Sequence, residues 1–190
     1  MSTLTSFDRD APTEANDFQA ASASLILASY QRLLRRSLLP GVPPGGDTGR
    51  LLYQAPFVVL AHDASPDPTF FYANRAAQQL FEMSWSQMVH LPSRLSAEPL
   101  ERDERQRLLD CVKARGFIDD YAGVRISASG KRFLITGATV WNLPGLEAVT
   151  GQAAAFAHWQ VLPGHAGRVD AGGLAELTSS SGEERQGMLR

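Results

Sequence analysis

Apolar residues near the start of the chain recur at the three- and four-residue spacings of a helix. Within residues 18–39, the residues that share one face at this spacing are Ile26, Leu27, Tyr30, Leu33, Leu34 and Leu38. Pro40 and Gly41 end the pattern, because neither residue continues a helix readily. The spacing predicts an amphipathic helix over residues 18–39, whose apolar stripe must be covered by the rest of the chain or by a second copy.

Short apolar runs further along the chain predict strands. Residues 57–61 are continuously apolar, and residues 69–74 are rich in aromatic side chains. Asn74 then precedes a helical pattern, and its side-chain oxygen is suited to accept a backbone N–H at the helix start. After a short irregular helical stretch, the pattern predicts a longer helix over residues 100–115.

Three further strands are predicted over residues 117–130, 131–144 and 152–162. The alanines of the last segment would also suit a helix, but its aromatic residues and the glycine-containing loop before it favour a strand. This order of elements predicts an α+β fold. It consists of a PAS-like five-stranded antiparallel sheet with helices on one face, plus the N-terminal amphipathic helix.

The composition of successive segments predicts how the chain is organised. A polar, turn-rich lead and a Gly/Ser/Glu/Arg-rich tail lack a sustained apolar period, so we expect both to be mobile. The predicted segments are a lead at 1–17, the amphipathic helix at 18–39, a Gly/Pro linker at 40–50, the PAS-like domain at 51–162 and the tail at 163–190.

Overall composition and charge limit the classes of function. The chain has 190 residues, of which 44% are hydrophobic, which suits one globular domain with tails. A net charge of −2 indicates no strong attraction to nucleic acid or anionic membranes, and the single cysteine excludes an internal disulfide. Because we find neither a membrane-spanning apolar stretch nor a secretory signal pattern, we expect a cytoplasmic protein with no membrane span.

Several segments together resemble the MEKHLA domain family, a PAS-like module found in short bacterial proteins and at the C-terminus of plant homeodomain–leucine-zipper transcription factors. The resemblance covers about residues 20–162 and suggests the stand-alone bacterial form. The segments that carry it are HDASPDPTFFYANRAAQQLFE, LPSRLSAEPLERDERQRLL, GFIDDYAGVRISASGKRFLITGATVWNL and GQAAAFAHW.

The resemblance implies a sensory or regulatory module that interacts with other proteins. Plant members of the family carry DNA-binding and lipid-binding domains upstream, and we recognise neither here, so no direct binding to nucleic acid is implied. The resemblance implies no particular reaction, and the cofactor, if there is one, stays unknown at this point.

Two places in the sequence contain residue types that can bind a metal or a cofactor. His62, Asp63 and Asp67 could supply ligands to a metal, but aspartates at a turn more often bind local backbone N–H groups, so we predict no metal site. Cys111 lacks the sequence context of a flavin-reactive cysteine, and residues 100–115 contain no histidine that could bind haem. We therefore expect neither covalent flavin photochemistry nor haem binding.

Catalytic motifs are not recognisable in the sequence. No Gly-x-Ser-x-Gly element occurs, and the adjacent Asp119 and Asp120 would point to opposite faces of a strand. We predict no catalytic residues and a non-enzymatic protein, with a small enzyme on a curved sheet as the least favoured alternative.

The candidate ligand-binding residues are aromatic or cationic side chains predicted to lie on or beside the sheet. A guanidinium beside aromatic rings could bind a carboxylate or stack on a ring. The candidates are Arg125, Tyr121, Trp141, Trp85 and Phe133. The sequence does not say whether these aromatic residues fill a packed core or surround a ligand cavity.

Arg125 also has a structural interpretation, in which it pairs with a carboxylate of the chain itself. Asp120, Glu98 and Glu101 are the candidates for this pairing, which would lock the long helix to the sheet.

Two functional hypotheses follow from these patterns. In the first, the protein is a non-enzymatic regulatory module that associates with a second copy or a partner regulatory protein. The interface would be the stripe of the N-terminal helix and the outer face of the sheet. In the second, it is a sensor that holds a small molecule inside the fold.

Overall fold

The fold is described by a computed structural model. The residues that it describes are 7–42, 46–97, 108, 110–112, 114–145 and 148–163. The helices are α1 (Ala20–Leu34), α2 (Thr48–Tyr53), α3 (Arg75–Phe81) and α4 (Trp85–Met88), with 3-10 turns at Glu14–Asn16 and Ser93–Ser96. The strands are β1 (Val58–Asp63), β2 (Phe70–Ala73), β3 (Phe117–Ile126), β4 (Arg132–Pro144), β5 (Val149–Phe156) and β6 (His158–Val161).

The strands form one antiparallel sheet in the order β2-β1-β5-β4-β3, with β6 also paired to β4. β5 and β6 follow each other along β4, because β5 pairs with residues 139–144 and β6 with residues 133–136. The break at Ala157 lies level with Gly137, which has a positive φ of 62° inside β4. The predicted α+β sheet is therefore confirmed, with its fifth strand divided in two.

The helix predicted over residues 18–39 is shorter, and it packs on the chain's own sheet. Arg35 adopts a left-handed conformation and ends α1 after Leu34. Ile26 and Tyr30 are buried against the sheet, and the Tyr30 ring meets the Trp141 ring edge-on at 5.0 Å. The other stripe residues are partly buried against the same cluster: Leu27, Leu33, Leu34 and Leu38.

This packing corrects the interface prediction for part of the stripe. Ile26 and Tyr30 cannot present their side chains to a second copy, because the sheet of the same chain already buries them. The sequence left open whether the stripe is covered by its own domain or by another copy, and the structure covers it within the chain.

Two connecting segments also differ from expectation. Residues 7–17, which we expected to be mobile, contact the sheet through Phe7 and Arg9. The linker predicted over residues 40–50 contains the start of α2, which Asp47 caps by accepting a hydrogen bond from the backbone N–H of Arg50. Most of the predicted tail, and residues 98–107 of the predicted longer helix, lie outside the described residues; the described residues from 108 to 115 are helical.

The sheet carries an apolar cluster on each face. We call the face covered by α1 and α2 the outer face; its buried side chains include Val59, Ala61, Phe71, Trp141 and Leu143. We call the opposite face, against which α3 packs, the inner face; its buried side chains include Val58, Leu60, Phe70, Phe133 and Ile135. None of the helices in the described part of the chain has the length and apolarity needed to cross a membrane.

Candidate functional site: a cavity on the inner face

A cavity of about 160 Å³ lies on the inner face, beside the turn Ser93–Ser96. For comparison, an engineered cavity of about 150 Å³ in another protein accommodates benzene. The apolar part of its wall includes Leu60, Phe70, Ile135, Val140 and Phe156. The polar side chains in its wall are His62, Ser93, Ser96, Tyr121, Arg125 and Gln152.

Tyr121, Gly123 and Arg125 form a positioned group on β3. The Arg125 Nη2 donates a hydrogen bond to the Tyr121 hydroxyl at 3.2 Å, and the guanidinium carbon lies 5.2 Å from the Tyr121 ring centre. A Cβ atom at Gly123 would collide with the Tyr121 hydroxyl and lie 3.2 Å from Arg125 Nη1. The absence of a side chain at Gly123 therefore allows the two larger side chains to meet.

Arg125 is the only lysine or arginine among the described residues that line the cavity. Its Nη1 donates to the carbonyl of Val124 at 3.1 Å, and no ion pair of the described residues includes it. A guanidinium has five N–H donors, and these two contacts use two of them. Ala97 bridges to Arg125 in the backbone, while Glu98 and Glu101, two of its predicted partners, lie outside the described residues.

His62, which the sequence offered only as a possible metal ligand, supplies a polar group to the cavity wall. Burial lowers the pKa of His62 below its usual 6.5, although its bond to the Asp63 carbonyl and the Asp63 charge oppose that shift. Its Nδ1 lies 2.8 Å from that carbonyl, which requires the proton on Nδ1. In the neutral ring, Nε2 is then a hydrogen-bond acceptor.

The structure places only two of the five predicted ligand-binding residues at the cavity. Tyr121 and Arg125 line it, whereas Trp141, Trp85 and Phe133 do not. Trp141 is fully buried on the outer face and donates a hydrogen bond from Nε1 to Ser29 Oγ at 2.9 Å. Trp85 packs edge-on against Tyr72 in the outer-face cluster.

Phe133 does lie on the inner face, but its ring packs edge-on against Phe81 at 5.2 Å and it does not line the cavity. Phe133 and Trp141 are eight residues apart on β4, so strict alternation would place both on one face. The alternation changes phase at Gly137, and Phe133 therefore lies on the inner face and Trp141 on the outer face.

Four polar residues of the wall were not among the predicted ligand-binding residues: His62, Ser93, Ser96 and Gln152. Strand alternation could have found Gln152, because it is four residues before Phe156 and so shares its face. The two serines belong to a separate turn, and nothing in their local sequence places that turn over the sheet.

The residues considered for a metal bind other parts of the protein. Asp63 accepts hydrogen bonds from Ser65 and Thr69, and Asp67 pairs with Arg94 at 3.0 Å. Within the described ranges, no three His, Cys, Asp or Glu side chains come together as a metal would require.

The cavity also does not fit a covalently held flavin. Cys111 packs at the edge of the inner-face cluster and does not line the cavity.

This arrangement of sheet and helices defines a PAS/LOV-like fold. Similar solved structures include a fungal LOV domain photoreceptor, with a TM-score of 0.50, 17% identity and coverage of 78% of this chain and 99% of that chain. An RNA-binding light-oxygen-voltage receptor matches with a TM-score of 0.50 and 20% identity, over 63% of this chain and 36% of that chain. At these identities the similarity shows the fold alone.

The chain belongs to the MEKHLA domain family, whose model matches residues 20–161. The match begins at the first residue of α1 and ends at the last residue of β6, so it includes the helix on the outer face. It confirms the family resemblance seen in the sequence. No curated protein matches the chain.

Proposed function

We propose that this MEKHLA module is a non-enzymatic sensor that binds a small carboxylate with a compact apolar body in the inner-face cavity. The observation that supports the proposal is the guanidinium of Arg125, positioned by Tyr121 at a largely apolar cavity and without an ion-pair partner among the described residues. Placing a charge in apolar surroundings is costly unless an opposite charge accompanies it. A carboxylate ligand would provide that charge and match the planar donors of arginine.

The other residues of the cavity wall restrict the chemical class of the ligand further. Its apolar side chains favour a hydrocarbon body, and the volume suits a group about the size of benzene. His62 offers an acceptor at Nε2, so a hydroxyl or amine on the ligand would find a partner there. The proposed ligand class is therefore a small aromatic or branched carboxylic acid, with or without one further hydrogen-bond donor.

Binding can be tested by isothermal titration calorimetry with benzoate, and with benzamide as the uncharged analogue. We expect benzoate to bind and benzamide to bind at least tenfold more weakly, because only the carboxylate pairs with the guanidinium. Arg125→Gln should abolish the preference for benzoate. Arg94→Gln is the matched control, since Arg94 pairs with Asp67 at the surface and should leave binding unchanged.

The structural interpretation of Arg125 gives a different result in the same experiment. If Glu98 or Glu101 neutralises Arg125, the double variant Glu98→Gln/Glu101→Gln should bind benzoate more tightly than the wild type, and Arg125→Gln should cost stability rather than binding. Equal binding of benzoate and benzamide by the wild type and this double variant would contradict the carboxylate proposal.

Protein association is the second candidate function, and β6 supports it. Trp159 and Val161 are large apolar side chains with 40% and 54% of their surface exposed. Leu162 N donates a hydrogen bond to the Arg132 carbonyl of β4. Because alternate residues of an antiparallel strand bond to the same neighbour, the N–H and C=O groups of Trp159 and Val161 point away from β4. Light scattering of Trp159→Ser tests this candidate: an unchanged molecular mass would exclude this edge as a site of self-association.

A further inference from the structure

Residues 7–16, which we call the strap, cross the sheet before α1 begins and are held by Arg9. The Arg9 Nη2 donates to Asp63 Oδ2 at 2.8 Å and to Thr69 Oγ1 at 2.9 Å. Its Nη1 donates to the backbone carbonyls of Phe70, at 3.0 Å, and Val89. We call these four acceptors the Arg9 site. They come from β1, β2 and the segments beside them, and together they match the donors of one guanidinium.

Two further contacts hold the same part of the strap. The Phe7 ring stacks on the Phe71 ring, with centres 3.7 Å apart and planes 3° from parallel. Trp85 Nε1 donates a hydrogen bond to the Arg9 carbonyl at 2.8 Å. The strap is therefore anchored at its first described residues, by side chains far away in the sequence.

The connection between the strap and α1 is strained. Asp17, Phe18 and Gln19 have φ values of 46°, 54° and 61°, which are left-handed conformations in three consecutive residues other than glycine. For a residue other than glycine, the left-handed conformation is populated roughly five- to thirty-fold less than the right-handed one. Aspartate lies at the lower end of this range. We call Asp17, Phe18 and Gln19 the hinge. Gly49 of α2 lies so close to the hinge that a Cβ atom at residue 49 would collide with the Asp17 carbonyl oxygen.

We propose that the strap exchanges between two copies of this protein, each Arg9 entering the Arg9 site of the other copy. A second copy carries the same Phe7 and Arg9, so every anchoring contact of the strap is reproduced between chains. The hinge is relieved when it straightens, and short strained hinges favour this kind of exchange. The proposal does not depend on a ligand in the cavity.

The strain also sets the concentration at which exchange becomes visible. A short connection presents the strap to its own site at an effective concentration of about 1 mM. When one of the three left-handed residues in each of the two hinges returns to a right-handed conformation, the dimer is favoured by a factor of roughly 25 to 900. The dissociation constant of the exchanged dimer is then on the order of ten micromolar.

Sedimentation velocity of the full chain over a concentration series tests the proposal. We expect a monomer at low concentration and a dimer well above ten micromolar. Gly49→Ala pushes the hinge away from α2 and should tighten the dimer several-fold. Asp17→Gly relaxes the hinge in the closed chain and should weaken the dimer several-fold. Circular dichroism establishes that both variants are folded.

A complementation experiment separates exchange from any other association. Arg9→Ala removes the anchor and Asp63→Asn weakens the site, so neither variant alone should dimerise. An equimolar mixture should form mixed dimers, because the intact Arg9 of one chain meets the intact site of the other. Arg94→Ala, which removes an ion pair outside the strap, is the matched control and should dimerise like the wild type.

Two outcomes would overturn the proposal. The first is a wild type and a folded Gly49→Ala variant that both stay monomeric at every concentration. The second is a dimer that Arg9→Ala and Asp63→Asn each leave intact, since the interface would then lie elsewhere.

Discussion

The two faces of the sheet contain similar aromatic residues but use them differently. On the outer face, α1 covers the sheet closely, and Trp141 is fully buried with its Nε1–H bonded to Ser29. On the inner face, Tyr121 and Arg125 stand at a cavity of about 160 Å³. The outer face therefore serves stability, whereas the inner face leaves room for a ligand.

Aromatic content alone therefore does not identify a binding site in this fold. A tryptophan contributes most to a fold where nothing but protein surrounds it. At a cavity, the informative residues are polar side chains that can make more hydrogen bonds than the surrounding protein accepts or donates. Arg125 is such a residue.

The largest effect is expected on the outer face. Trp141→Ala should lower the free energy of unfolding by about 3–5 kcal/mol, because it leaves a large cavity in a packed cluster. Tyr121→Phe, the comparison on the inner face, removes only the hydrogen bond from Arg125 and should cost less than about 1.5 kcal/mol. Urea unfolding measures both. Similar losses for the two variants would contradict the contrast between the faces.

The sequence predicts more of the fold than of the site. Alternating and continuous apolar runs identify the strands, and the element order identifies the PAS-like sheet. Tyr121 and Arg125 are found because they are four residues apart on one strand. Alternation predicts that Phe133 and Trp141 share a face, but the change of phase at Gly137 places them on opposite faces.

Residues that act across long sequence separations are missed. Arg9 reaches Asp63, 54 residues away, from a segment with no apolar period, so local pattern predicts mobility where the structure shows four polar contacts. Ser93 and Ser96 reach the cavity from a 3-10 turn for the same reason. Their positions depend on how separate elements pack, which no local spacing encodes.

A second prediction concerns an exception within the outer face. The Tyr72 hydroxyl is buried and has no hydrogen-bond partner among the described residues. An unsatisfied buried hydroxyl costs about 1–3 kcal/mol, so Tyr72→Phe should raise the free energy of unfolding, by about 1 kcal/mol. Tyr30→Phe is the control and should lower it, since the Tyr30 hydroxyl accepts a bond from Arg36 Nε at 3.0 Å. Loss of stability in both variants would mean that Tyr72 has a partner.

A third prediction uses pH to test the inner face. Burial lowers the pKa of His62 below 6.5, so the unfolded chain takes up the proton first as pH falls. The free energy of unfolding should therefore decrease as pH falls through 6.5, and level off only below the folded pKa. His62→Gln should flatten this part of the curve. An unchanged slope in His62→Gln would show that His62 is not held neutral by the fold.

The smallest effect is expected at the exposed end of the β3–β4 hairpin. Glu82 follows α3 and accepts hydrogen bonds from Lys131, at 2.5 Å, and from Ser127 and Ser129. These contacts lower the pKa of Glu82 to about 2. Its stabilising contribution is therefore present above the ordinary value of 4.5 and is lost as pH falls from 4.5 towards 2.

Glu82→Gln should reduce stability at neutral pH only slightly, because water and salt screen an exposed ion pair. The difference from the wild type should shrink further in high salt and disappear below about pH 2, where the wild-type carboxylate is mostly protonated. Lys131→Gln should give the same pattern, since it removes the other half of the pair. A loss as large as that of Trp141→Ala would show that this hairpin, rather than the outer face, holds the sheet to its helices.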